Sequence, residues 1–461
     1  MVFVLRQIQE KCREQNKGLY ISFVDLTKAF DTVNREGLWK ILKRLGCPPK
    51  FLKLIVQLHE DQRGQVRHSN DLSQPFPISN GVKQGCVLAP TLFTIFFSMM
   101  LQQANADLDD NDGVYIRYRM DGSLFNLRRL KAHTKTLEHL FRELLFADDA
   151  ALIAHSEAAL QRQTECFAET AKLFGLQVSL TKTEVLFQPA PKEAFHQPHI
   201  RIEDTELKSV QQFKYLGCLI SSDGKIDKDI ENRLAKASCA FGRLQKRAWK
   251  NKHLKNATKI SVYKAVVLTT LLYGSESWVF YQHHLRLLER FHQRCLRTIL
   301  NIKWFDLVPN TAVLEKANTC CIEALLLKTQ LRWAGHVTRM QDYRLPKIAL
   351  YGELSSGHRE VGAPTKRYKD LLKHSLRTCN INHHQLAEAA SDRVIWRQTI
   401  HHATSSFDKE RTSRLVEKRR KRKDRVAEIH QNTFRCTRCD RECLSQIGLY
   451  SHQRACINHN P

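Results

Sequence analysis

Three aspartates have the residue type and placement from which chemistry can be read first. Asp25 closes the apolar run Phe23-Val24, and Asp148-Asp149 follow a second such run at Phe146-Ala147. Three carboxylates gathered at one site repel one another unless divalent cations neutralise them, and magnesium takes hard oxygen ligands of this kind. A pair of such ions serves phosphoryl transfer by activating the attacking oxygen and stabilising the leaving group. Taken alone, an Asp-Asp pair after an apolar run is more often an ordinary turn. A second constellation lies near the other end of the chain. Cys436-x2-Cys439-x12-His452-x3-Cys456 has the spacing of a Cys2His2 finger whose last His is replaced by Cys. Thiolate and imidazole donors suit zinc, whose binding energy would fold a module too small for a core of its own.

The acids need elements to hold them. Leu19 to Leu26 is apolar and β-branched enough for a buried strand, and Leu144 to Ala154 reads as a hairpin with Asp148-Asp149 at its turn. Val2, Leu5, Ile8 and Cys12 recur at helical spacing over residues 2 to 15, with no capping residue before them. Gly37 to Leu45 and Phe51 to Leu58 read as helices parted by Gly46-Cys47-Pro48-Pro49. Val87 to Leu101 reads as a core helix, short of the roughly 20 apolar residues of a membrane span. Ala158 to Leu173 is helical up to Gly175, Thr183 to Phe187 is a strand, and Phe213 to Ser221 is a further strand closed by Ser222-Asp223-Gly224. Strands and helices mix without strict βαβ alternation, so the expected class is α+β, a sheet with helices on one face. Beyond Gly224 the pattern is helical to about residue 405. Ile226, Ile230, Leu234, Ala237, Phe241 and Leu244 mark one buried face and place Lys228, Arg233, Lys236, Arg243 and Lys246 on the others.

The chain's 461 residues carry 73 Lys and Arg against 47 Asp and Glu, a formal charge of +26. A polyanion fits so large an excess, because neutralising phosphates releases counterions. Residues 409–425 concentrate the charge, with Lys418-Arg419-Arg420-Lys421-Arg422-Lys423 at their centre, as a solvated helix or linker or as a nucleic-acid or nuclear-import contact. No secretory signal is visible at the start, and fourteen cysteines crowded only near the end fit a reducing compartment with one metal site rather than a disulfide framework. Residence in the nucleus or cytoplasm, without secretion or a membrane partner, is expected.

Between the acids lies Asn80-Gly81-Val82-Lys83-Gln84-Gly85 with Leu88-Ala89-Pro90, a small-residue turn feeding an apolar helix. Phe23-Val24-Asp25 with Ala29-Phe30-Asp31 precedes it and Phe146-Ala147-Asp148-Asp149 follows. Leu173-Phe174-Gly175-Leu176 with Lys182-Thr183-Glu184 comes next, and then Tyr215-Leu216-Gly217. Five blocks in this order resemble the reverse transcriptases of non-LTR (long-interspersed-element) retrotransposons, over residues 1 to 220 by motif and more loosely to about 340. The resemblance implies an RNA-directed DNA polymerase with a right-hand palm (antiparallel sheet, helices on one face), a helical thumb and carboxy-terminal region, and a terminal zinc finger. Its partners would be an RNA template, a DNA primer and deoxynucleoside triphosphates. Asp25, Asp148 and Asp149 would hold two Mg2+ ions, with the Leu26 carbonyl as a further ligand. Phe30 would be the gate that excludes a ribose 2′-hydroxyl, with plain core packing as the alternative. Gln84 and Gly85 resemble residues that let backbone approach the template and nascent base pair. Lys182 would assist pyrophosphate departure as a general acid, with a plain surface lysine as the alternative. Tyr215, Leu216 and Gly217 would grip the primer end, and the basic helix from Ile226 would belong to the thumb.

The expected division is a palm with incomplete fingers at 1–222, a helical thumb or connection at 223–345, a helical and basic linker at 346–430, and a CCHC finger at 431–461. Family members carry fingers blocks ahead of the first catalytic Asp and an endonuclease farther upstream. Only about 24 residues precede Asp25 here, so the chain reads as the carboxy-terminal part of a polyprotein or as a truncated product. A catalytically inactive nucleic-acid-binding remnant is the alternative; Phe30 opposes a third reading, an RNA-templated RNA polymerase. In the finger, Ser445, Gly448 and Ser451 fall at base-contacting positions and are too short for bidentate readout, so weak, sequence-independent binding is expected. Cys443 takes the place of the usual aromatic. Neither residues 103–140 nor Arg332-Trp333-Ala334-Gly335-His336-Val337 carries a legible chemistry.

Overall fold

The first helix, α1 (Val2–Glu14), buries Phe3, Val4, Leu5, Ile8 and Cys12, and β1 (Leu19–Val24) follows, buried at all six positions. A strand covered on both faces needs no polar alternation, which is why it reads as a nearly continuous apolar run. The computed structural model describes every residue except 70, 133, 358, 360–364, 432–433, 444 and 458–461, the last seven of these within the segment expected to be the finger. Short helix α2 (Ala29–Thr32) is followed by α3 (Arg35–Arg44), α4 (Pro49–Gln57) and the apolar α5 (Ala89–Ala104). Strands β2 (Val114–Tyr118), β3 (Leu137–Phe141), β4 (Glu143–Phe146) and β5 (Asp149–Ala154) come next, then α6 (Glu157–Leu173), β6 (Glu184–Gln188) and β7 (Lys208–Ser209).

The central sheet runs in the order β7-β6-β1-β5-β4. Strand β1 is antiparallel to both neighbours, with Phe23 opposite Ala151 and Glu184, while β7 joins β6 in parallel, so the sheet is mixed rather than purely antiparallel. Residues of β1 alternate between two cores. Tyr20 and Val24 face α5 and α6 through Phe93, Phe96, Met100, Leu160 and Phe167, whereas Ile21 and Phe23 face α1. The expectation of helices on one face is therefore corrected: a strand apolar on both sides must be covered on both sides.

The expected strand Phe213–Ser221 is instead a tight hairpin of β8 (Gln212–Tyr215) and β9 (Cys218–Ser221), with Leu216 and Gly217 at positive φ in its turn. Helix α7 (Asp227–Arg243) packs on it and opens a helical region with its own core. This region includes α8 (Gln282–Ile299), α9 (Ile322–Thr338) and α10 (Leu345–Tyr351). The two-residue strand β10 (Glu353–Leu354) then pairs with β2, setting Leu354 opposite Ile116, and completes the sheet β10-β2-β3. The stretch between α5 and β4 thus supplies two strands of a sheet whose third comes from far along the chain. Packing does not follow the expected 345/346 boundary, because Ile348, Ala349 and Leu354 join the core of α1 and β1.

Helices α11 (Tyr368–Thr378) and α12 (Arg393–Gln431) complete the helical part. The basic run 409–425 lies within α12 rather than in a linker. The Arg332–Val337 segment sits in α9, where Gly335 receives Trp396: a Cβ there would stand 2.0 Å from Trp396 Nε1, which donates to the Leu331 carbonyl at 3.1 Å. That segment is packing. A small ββα unit of β11 (Phe434–Arg435), β12 (Glu442–Cys443) and α13 (Gln446–Ile457) ends the described chain. Among the described residues no helix is long and apolar enough to cross a membrane.

Candidate active site

Antiparallel register brings the acids together. Val24 lies opposite Ala150, so Asp25, one step beyond β1, meets the start of β5 where Asp149 stands. Strands β4 and β5 pair up to Phe146 opposite Asp149, leaving Ala147 and Asp148 as a two-residue turn. The positive φ falls on Ala147, the first central position, as in a type II′ turn that normally calls for glycine. Strain of this sort persists where surrounding structure enforces it, and here it aims Asp148 and Asp149 off the sheet's end.

Backbone pairing fixes Asp25. Its N–H donates to Thr183 Oγ1 at 3.3 Å and its carbonyl accepts from the Ser179 N–H at 2.8 Å, while Leu26 bridges to Val178. Asp25 Oδ2 is shielded from solvent and accepts no hydrogen bond among the described residues; Lys182 Nζ stands 3.2 Å away as its ion-pair partner, itself largely exposed. The Asp149 carboxyl is held above the usual carboxylate range, by partial burial first and then by the charges of Asp148 and Asp25. Hard oxygens and mutual repulsion among neighbouring carboxylates are what a cation site for magnesium draws on. The oxygens are nevertheless more spread than a single closed cage. Ligand atoms from three or more residues lie within 4.8 Å of one another in two other groups among the described residues.

One of these groups is Cys436, Cys439, His452 and Cys456, with Cys439 Sγ 2.9 Å from His452 Nε2. This sulfur and imidazole set fits zinc. Cys443 stands apart from it in β12, opposite Phe434, and Ser445 Oγ accepts the Gly448 N–H at the start of α13. The other is Asp227, His283 and His284. His284 Nδ1 accepts the Tyr281 N–H at 3.1 Å, so the neutral ring carries its proton on Nε2 and donates it to Asp227 Oδ1 at 3.0 Å. That ring offers no lone pair at Nε2, and the trio is a hydrogen-bonded junction of α7 and α8 rather than a metal centre. Partial burial pushes the Asp227 carboxyl up, but the bonds from His284 and His283 outweigh it and hold the carboxyl low.

The remaining residues divide by exposure. Phe30 is half-buried in α2, stacked on Phe93 at 4.3 Å, and its carbonyl accepts the Val82 N–H. Gly81 crosses directly over α2; its φ is +83° and a Cβ would meet the Asp31 carbonyl at 2.6 Å. Gly85, at φ +84°, and Gln84 are exposed on the turn before α5, with open space where a Gly85 side chain would be. Tyr215 is buried: its hydroxyl donates to the Leu144 carbonyl at 2.8 Å, so its phenol braces β4 from behind and is out of a ligand's reach. Leu216 and Gly217 form the hairpin turn. Tyr273 Oη donates to the Leu216 carbonyl, and Arg233 donates to that of Gly217. Arg233 is thus buried against this turn, not on an open helix face as its spacing implied, because a carbonyl sixteen residues earlier claims its guanidinium.

Sequence reasoning missed Arg35. From the first position of α3 its Nε donates to the Gly81 carbonyl at 2.8 Å, Nη1 to those of His59 and Ile78, and Nη2 to Gln62 Oε1. A cation at a helix N-terminus opposes the helix dipole, and that misfit was the available signal. Asp229 was missed too. Buried in the first turn of α7, it accepts from Arg6 Nη2 at 2.7 Å, Trp278 Nε1 at 3.0 Å and the Leu219 N–H at 3.0 Å, which ties the β8–β9 hairpin to α1.

Residues 3–220 match the family model described as reverse transcriptase (RNA-dependent DNA polymerase). Over 292 residues the chain is 23% identical to the RNA-directed DNA polymerase from mobile element jockey of Drosophila melanogaster, covering 62% of this chain and 28% of that protein. It is 26% identical over 231 residues to the Pol polyprotein from the type-1 retrotransposable element R2 of Nasonia vitripennis, covering 48% and 20%. The chain thus spans about a quarter of the length of these relatives. Among solved structures, apo telomerase from Candida tropicalis superposes with a TM-score of 0.35 at 13% identity, over 86% of this chain and 55% of that one.

Proposed function

Residues 3–220 form a reverse transcriptase domain, and from that premise we propose that the chain is the RNA-directed DNA polymerase module of a non-LTR retrotransposon, extending a DNA primer on an RNA template. The supporting observation is the register that sets Asp25 against Asp149 at one end of the central sheet, with Asp148 in the adjoining turn. In this reading the central sheet with α5 and α6 is the palm, and the helical region from α7 is the thumb.

Asp25, Asp148, Asp149 and the Leu26 carbonyl would hold two magnesium ions, which supply a deprotonated primer hydroxyl and charge neutralisation at the leaving pyrophosphate. Lys182 keeps an ammonium beside Asp25 and can deliver its Nζ proton to the departing phosphate. Phe30, braced by Phe93, presents a rigid edge where a ribose 2′-hydroxyl would fall. Lys83 to Gly85, following the Gly81 turn that Arg35 clamps, offers exposed backbone to the template base pair. Leu216 and Gly217 hold the primer end through their turn while the buried Tyr215 sets its height. Zinc on Cys436, Cys439, His452 and Cys456 would hold the terminal unit.

Primer extension by the purified full-length chain on an RNA template with magnesium is the test. Incorporation of deoxynucleotides that vanishes in Asp148→Asn is expected. A chain that binds template and primer without extending them would replace this reading with that of a nucleic-acid-binding remnant.

A further inference from the structure

Outside residues 3–220 the helical region encloses a groove of about 1510 Å³ between α8 and the segment around residues 249–252. Small-molecule pockets rarely exceed about 1,000 Å³, so the dimensions are those of a channel for a polymer. Along one wall Arg286, Arg290 and Arg294 recur every fourth residue, stacking in one row at about 6 Å intervals along the helix. Lys250, Lys252 and Lys303 line the groove as well. Among the described residues none of these six cations lies within 4.0 Å of a carboxylate. The acids that share the groove are already engaged. Glu289 accepts from Gln293 and from the Ile322 N–H, and Glu323 pairs with Arg411.

An aromatic end accompanies the charge. Trp304, also in the lining, is 86% exposed, and its neighbour Phe305 is 62% exposed, although side chains of this size are normally covered. A row of cations without a carboxylate partner among the described residues supplies phosphate contacts, Arg294 lying over the Phe291 ring, and an open indole face supplies a stacking platform for an unpaired base; together they match the way single strands are held. A duplex keeps its bases stacked on one another and leaves Trp304 nothing to receive. We propose that this groove binds a single-stranded stretch of polynucleotide, its phosphates along Arg286, Arg290 and Arg294 and a base on Trp304.

Fluorescence anisotropy of a labelled 20-nucleotide strand, titrated with the full chain, tests this without requiring any nucleotide addition, so an inactive polymerase site leaves the outcome readable. The triple variant Arg286→Gln, Arg290→Gln, Arg294→Gln changes exposed side chains only and should keep the parent melting temperature. It is expected to weaken single-strand binding about tenfold or more and to lower the slope of log K against log salt by about 2, at roughly 0.7 per phosphate. Trp304→Ala should cost about fivefold or more, within the range of one lost base stack. A strand carrying 5-bromouridine should photocrosslink to the peptide holding Trp304. Equal losses on RNA and DNA strands identify the backbone as the shared ligand, and a loss confined to RNA adds the 2′-hydroxyl; both keep the groove. Unchanged affinity and slope in the triple variant, an equal loss on a 20-base-pair duplex, or equally effective competition by polyglutamate would each overturn the proposal.

Discussion

Lys182 Nζ stands 3.2 Å from Asp25 Oδ2, a carboxylate oxygen shielded from solvent, while Asp149, opposite Asp25 on the neighbouring strand, has no such counterion among the described residues. Asp149 therefore carries the unrelieved charge. Its folded-state pKa is raised by burial, Asp148 and Asp25, so ionising it costs the folded chain stability as pH rises through that value. Asp149→Asn is expected to melt higher than the parent at pH 7, by a few tenths to about 1 kcal/mol once solvent screening is discounted. The gap should close below about pH 3, where both states are protonated. Added magnesium should raise the parent's melting temperature and the variant's much less. Calorimetry across pH with and without the ion checks this, and a variant that melts lower than the parent at pH 7 would refute it.

Arg35 is the joint between α3 and the Gly81 turn. Arg35→Ala strands the carbonyls of Gly81, His59 and Ile78, and the loss of these charge-assisted bonds should cost about 3 kcal/mol in urea unfolding. Arg35→Lys keeps the charge without the planar fork and should recover less than half of that. Steady-state extension should show a raised nucleotide KM in both, because the exposed backbone at Gly85 loses its anchor. An unaltered KM would free that turn from Arg35.

Acid should unfold the chain partly through Glu353. It accepts from Lys369 Nζ at 2.8 Å and lies 3.6 Å from Lys11 Nζ, in a site where all three are nearly buried. Burial pushes its carboxyl up, but the two ammonium groups outweigh that and hold it at about 2. Stability from this group is complete above the unfolded value of 4.5 and is lost as pH falls toward 2. Glu353→Gln should cost about 3 kcal/mol at pH 7, since two buried lysines lose their partner. Its acid transition should be correspondingly shallower, measured by circular dichroism from pH 7 to 2.

The terminal ββα unit should bind one zinc per chain by elemental analysis. Cys436→Ser should abolish it, whereas Cys443→Ser, outside the ligand group, should retain it. A chelator should erase amide protection in Gln446–Ile457 and leave the central sheet untouched, because a unit this small draws its folding energy from bound metal. Protection that survives chelation would mean a fold independent of zinc.

The acids were legible because each signal was local: an apolar strand ending in Asp25, and a hairpin breaking at Asp148. The same holds for α1, α6 and the Cys–His spacing. Partnerships over distance left no such mark. Nothing in Glu353-Leu354 announces a strand for Arg117-Ile116, and Arg233 reads as one more surface cation until the Gly217 carbonyl is seen beside it. Tyr215 lay in a recognised block, but whether a phenol faces a ligand or props a neighbouring strand depends on a fold the block does not encode.

Helix α1 touches both the central sheet and the helical region. Its Val4 and Ile8 seal the sheet, its Phe3 meets Trp333 and Tyr368 edge-on, and Lys11 closes on Glu353. The stretch that looks interchangeable between relatives is therefore no free-standing cassette. A chimera that exchanged residues 1–220 alone would inherit a mismatched seam, and recombination that preserves the fold must carry Asp229, Trp333, Glu353 and Tyr368 along as obligate passengers.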